Sequence, residues 1–96
     1  MTVPRAERIK EMLQQAFNAS QVSVRDDSAL HVGHAGARDG AGHYYVRVES
    51  QVFSGRSRLE RHRLVYEALA AMLPREIHAL NIEAVSPEEV SPPRTQ

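Results

Sequence analysis

Residues 43–50, HYYVRVES, put Tyr44, Val46 and Val48 on one side of an extended chain and Tyr45, Arg47 and Glu49 on the other. Alternation of this kind does not suit a helix. It commits the chain to a sheet with one buried and one solvated face, and the rest of the sequence must cover the buried one. Two further segments read as strands. "QVSVRDD" (21–27) places Val22 and Val24 together, and "ALNIEAV" (79–85) alternates Leu80, Ile82 and Ala84.

Two segments have helical spacing. From Pro4 to Phe17, residues Ile9, Met12, Leu13, Ala16 and Phe17 form one face, with Thr2 available as a cap and Pro4 suited to the first turn. "SRLE" (57–60) has the capping-box pattern. Leu59, His62, Tyr66, Leu69 and Leu73 follow at three- and four-residue steps, and Pro74 ends that helix and opens a short further turn through Glu76. From Ser86 the chain is polar and proline-rich. The sequence therefore predicts an α+β domain over 1–86, with elements in the order α-β-β-α-(short α)-β, and a flexible tail over 87–96. The first two strands should pair antiparallel. The second and third, joined through a helix, should be parallel through a right-handed crossover. Both helices then cover one face of a three-stranded mixed sheet, and the other face is left open.

Ninety-six residues suit a single domain with one core. Twelve basic and twelve acidic side chains cancel, which argues against a dedicated nucleic-acid binder but leaves room for a local basic patch. With no cysteine, the chain can supply neither disulfides nor thiolate ligands. No stretch approaches a membrane span. The segment "MTVPRAERIKEMLQQAF" has no continuous apolar core and carries glutamates, so neither a secretory signal nor an import peptide is expected, and a cytoplasmic location is.

Three of the five histidines and four of the five glycines fall within "HVGHAGARDGAGH" (31–43). A connection of this length between two strands points to function. His31 and His34 lie in it with no apolar neighbour that requires them. His43 opens the second strand on the side of Tyr45 and Arg47, where a structural or surface role is expected. His62 reads as a packed core histidine, and His78 stands exposed at the entrance to the third strand. A complete zinc site is not expected: there is no C-x-x-C and no H-x-x-x-H on a helix. Nor is there a G-x-S-x-G elbow or a glycine-rich phosphate loop, and Asp26, Asp27 and Asp39 read as charged loop residues, so the chain does not read as an enzyme. One charged cluster stands out. "GRSRLERHR" carries Arg56, Arg58, Arg61 and Arg63 around the start of the second helix, a surface for phosphate contact or for docking an acidic partner.

The strings "DDSALHVGH" (26–34), "HYYVRVES" (43–50), "FSGRSRLERHRLVYEAL" (53–69) and "IHALNIEAVSPEE" (77–89) resemble the BolA family in order and spacing, covering most of Val22 to Glu89. The resemblance implies an αββααβ fold similar to a type II KH domain. It also implies a non-enzymatic accessory role in iron–sulfur cluster handling, in which a monothiol glutaredoxin and glutathione supply sulfur ligands to a shared [2Fe–2S] cluster and the BolA-like chain supplies histidine. By this resemblance His78, in the I-H-A-L motif, is one ligand, and His31 or His34 is the second. Histidine can replace cysteine on one iron of such a centre. The family's association with transcriptional regulation leaves DNA binding through the arginine-rich helix as the alternative. "LPREI" lacks the G-x-x-G loop with which KH domains clamp phosphates. A homodimer through the open sheet face or an edge stays open.

Overall fold

A computed structural model describes residues 4–28 and 42–90. Helix α1 (Arg5–Phe17) leads into strands β1 (Gln21–Asp26) and β2 (Gly42–Glu49), then helix α2 (Arg58–Ala68) and strand β3 (Ile77–Val85). The strand order is β1-β2-β3. β1 runs antiparallel to β2, with Val22 opposite Val48 and Val24 opposite Val46, and β2 runs parallel to β3, with Val46 opposite Ile82. This is the α+β architecture and mixed sheet that the sequence predicts. The second helix ends at Ala68, short of Pro74, and a 3-10 turn at Ala70–Met72 follows it; the expected turn from Pro74 through Glu76 is present, closed by the Glu76 N–H on the Met72 carbonyl at 2.9 Å.

α1 buries Ile9, Leu13 and Phe17, with Met12 half-buried and Ala16 exposed. Pro4 occupies its N-cap position without a side-chain bond, Thr2 lies outside the described residues, and Asn18 closes the helix in the left-handed region at φ 48°. Tyr44, Val46 and Val48 form the buried face of β2, and Val22 joins them from β1. Phe17 and Phe53 meet at 5.0 Å between ring centroids. The buried Ser50 hydroxyl donates to the Phe17 carbonyl at 2.6 Å and accepts from the Val52 N–H at 3.1 Å, so it is satisfied on both sides.

α2 begins with the expected capping box. Ser57 Oγ accepts from the Glu60 N–H at 3.1 Å, and Glu60 Oε1 accepts from the Ser57 N–H at 2.7 Å. Gly55, at φ +74°, makes the turn that precedes it. The buried face is not the expected one. Leu59 is 61% exposed and Tyr66 42% exposed, whereas Val65 and Leu69 are fully buried, with Leu64 and Ala68 packed beside them. Apolar residues occur all round this helix, so two stripes compete. The sheet takes the one through Arg61, Val65 and Leu69, and His62 is consequently half-buried at the helix margin instead of in the core.

Within the stretch expected as a tail, Pro87–Glu89 form a 3-10 turn and Glu89 is held by Arg61. Residues 91–96 lie outside the described ones.

Candidate functional site

The register between β2 and β3 carries one irregularity, and it falls on a histidine. Gly42 pairs with Ile77, but the next residue, His43, pairs with Ala79, which leaves His78 as an extra residue in β3. A bulge of this kind breaks the two-residue period. Ile77 is fully buried, His78 and Ala79 are both exposed, and Leu80 again packs against the core. His78 is thereby re-aimed onto the side of the sheet that His43 occupies. The two imidazoles stand 5.2 Å apart between centroids at 52°.

His43 sits where two strand ends meet. Its N–H donates to Ser28 Oγ at 3.1 Å and its carbonyl accepts from the Asp27 N–H at 2.7 Å. A cleft of about 190 Å³ opens beside it, lined in part by Asp27, Ala79 and Asn81. The strand parity of His43 is as the sequence predicts; its partnership with His78 is not, because it depends on the bulge. The only sequence signal was the pairing of an apolar Ile77 with an inward Leu80, three apart, where an unbroken strand demands an even step. His31 and His34 lie outside the described residues, in the connection that leaves at Ser28 and re-enters at Gly42, next to His43 at both ends.

Two imidazoles side by side bring nitrogen donors of the kind that soft or borderline metals take to one place, with His43 Nε2 itself buried. Among the described residues no three histidine, aspartate or glutamate side chains converge as a metal-binding group.

The arginines are deployed differently at the opposite end of β3. The Arg61 side chain is only 11% exposed. It donates to the carbonyls of Arg56 at 2.9 Å and Ala84 at 3.0 Å, and grips Glu89 with two bonds of 2.6 and 2.7 Å. That carboxylate also accepts from the Ser86 N–H at 3.1 Å. Arg61, chiefly, and Ser86 hold Glu89 down to about 2 from its usual 4.5. Arg61 thus ties α2 to the end of β3. Arg56 Nε donates to the Val52 carbonyl at 2.9 Å, while Arg58 and Arg63 are exposed with no ion pair among the described residues. Arg56, Arg58 and His62 line a cleft of about 370 Å³, but Glu83 and Glu89 line it too.

Residues 13–89 match the family model described as BolA-like protein. The chain belongs to the BolA family. It is 40% identical to SufE-like protein 1 of Arabidopsis thaliana over 90% of its own length and 24% of that protein's. It is 38% identical to the chloroplastic protein BOLA1 of the same plant, over 88% of this chain and 55% of that one. The chain thus spans about a quarter and about half of these two relatives. The solved BolA domain of Arabidopsis SufE1 superposes with a TM-score of 0.80 at 37% identity, covering 94% of this chain and all of that domain. The BolA fold can therefore be one domain of a larger protein, and the described residues here form that domain. Among them, no helix is long and apolar enough to cross a membrane.

Proposed function

We propose that this BolA-family chain is a non-enzymatic adaptor in iron–sulfur cluster assembly, trafficking or iron regulation. It shares a [2Fe–2S] cluster with a monothiol glutaredoxin and glutathione, in a reducing compartment such as the cytoplasm. The observation that carries this reading is the His43–His78 pair, two imidazoles brought together by a strand bulge in a chain without cysteine. His78 is the first ligand. His43 joins His31 and His34 as a candidate for the second, because among the described residues it is the histidine that lies against His78. The cluster would bring one-electron redox chemistry and transferable iron and sulfide. The chain's own part is to present neutral nitrogen donors on a rigid sheet. Imidazole in place of thiolate removes negative charge, raising the potential and making the association sensitive to acid. An incomplete ligand set also releases its cargo when the partner leaves.

DNA binding is the second reading, and exposed Arg58 and Arg63 favour it. Against it, Arg61 is engaged internally and two glutamates share the neighbouring cleft.

The test is anaerobic cluster reconstitution with a monothiol glutaredoxin and glutathione, followed by visible absorption and circular dichroism. Wild type and His78→Ala are each compared with glutaredoxin alone. A spectrum distinct from the control, and altered or lost in the variant, supports shared ligation. A spectrum indifferent to this chain would sink the reading, and salt-dependent DNA binding would then be tested with Arg58→Gln and Arg63→Gln.

A further inference from the structure

Helix α1 reaches the histidine end of the sheet through charge. Arg5 and Arg8 lie on one side of its first turn, and both converge on the Glu76 carboxylate: Arg8 Nη2 donates to Oε1, and Arg5 Nε stands 3.6 Å from the same oxygen. Glu76 is the residue immediately before β3. Its N–H donates to the Met72 carbonyl at 2.9 Å and its own carbonyl accepts from the Gly42 N–H at 3.0 Å. One residue therefore binds α1 through its side chain and the start of β2 through its backbone.

Gly42 closes this arrangement. A Cβ there would lie 2.5 Å from the Tyr44 ring, so the ring occupies the space that a side chain would need. The register explains why such a clamp matters. Continued from the Gly42–Ile77 pair without interruption, the ladder would set His43 opposite His78 and turn Leu80, Ile82 and Ala84 to the open face. Burial of those three side chains fixes the register beyond the bulge. The Gly42–Glu76 bond fixes it before the bulge. Between two fixed registers the surplus residue, His78, is forced out.

We propose that Glu76, anchored by Arg5 and Arg8, is a positioning residue for the His43–His78 pair. The ion pairs hold the upstream register, and their loss lets the first residues of β3 relax so that the two rings separate. As a statement about cluster ligation this rests on the function proposed above; as a statement about the two rings it does not.

The experiment is NMR of the cluster-free full chain, reading the cross-relaxation between the His43 and His78 ring protons. Val46, Val48 and Val65 methyl shifts serve as a check on the core. Glu76→Gln keeps size and backbone but removes the charge. The expected result is loss of the ring–ring signal with core methyl shifts unchanged, and its partial return in Glu76→Asp. In the glutaredoxin heterodimer, Glu76→Gln should alter the visible circular dichroism in the same sense as His78→Ala. Should the methyl shifts of Glu76→Gln show a collapsed core, Arg8→Gln is read in its place with the same expectation. A ring–ring signal of wild-type strength in a folded variant overturns the proposal. That result leaves the cluster reading intact, whereas a wild-type chain without a shared cluster spectrum defeats the cluster reading and leaves the positioning claim to the ring signal.

Discussion

The two ends of β3 carry similar sequence signals and use them in opposite ways. At its start an exposed histidine, preceded by a buried isoleucine, is pushed out by a bulge to meet a second histidine. At its end, an arginine that looks available in sequence is folded inward and satisfied by two backbone carbonyls and a carboxylate. Charge density alone would favour the arginine end as the site. The structure shows that Arg61 there is part of the scaffold, and the function proposed above places the ligands at the histidine end.

Both ends rest on one core, and the largest expected effect comes from removing it. Leu69 is fully buried, and Leu69→Ala should cost about 2–5 kcal/mol in urea unfolding, loosening both ends together. An effect confined to one end would break the picture of a shared floor. Arg61→Met sharpens the contrast. It keeps most of the apolar stem but loses the carbonyl contacts, for an expected cost of about 2 kcal/mol. The half-exposed pair with Glu89 adds little to that, because solvent screens it. The His43 and His78 ring resonances should stay where they are. Ser57→Ala removes the cap of α2 and should cost about 1 kcal/mol by thermal unfolding, again without moving the histidines.

Acid provides the smallest and most specific probe of the arginine end. Glu89 is held down to about 2 in the folded chain against 4.5 ordinarily. Its contribution is therefore complete above about 4.5 and is lost as the pH falls toward about 2. Glu60, held down by the Ser57 N–H, and Glu88, held down by the Ser54 hydroxyl, act in the same direction. Stability measured from pH 7 to 2 should fall less steeply in Glu89→Gln than in wild type. Equal slopes would show that the grip of Arg61 on Glu89 is not made in solution.

Most of the fold was legible because it follows from local periodicity. The alternation of Tyr44, Val46 and Val48, the α1 stripe and the Ser57–Glu60 capping box each name their element without tertiary information. The face of α2 was not legible, since apolar residues at 59, 64, 65, 66 and 69 allow two stripes, and only the sheet decides between them. The histidine pair was half legible. His78 could be singled out by its motif, and His43 could be given its strand face. Their meeting depends on a register shift set by long-range partners, Glu76 and the half-buried Leu80, that no local pattern encodes. For the same reason Arg61 looked like surface: its acceptors are 5, 23 and 28 residues away.

The central claim is that the histidine end, not the arginine end, binds. The most direct measurement is visible circular dichroism of the cluster-loaded heterodimer with a monothiol glutaredoxin, comparing His43→Ala and His78→Ala with the double variant Arg58→Gln/Arg63→Gln. The account predicts altered or lost signal in both histidine variants and a wild-type spectrum in the arginine variant. A spectrum unchanged by either histidine but lost with the arginines would contradict it.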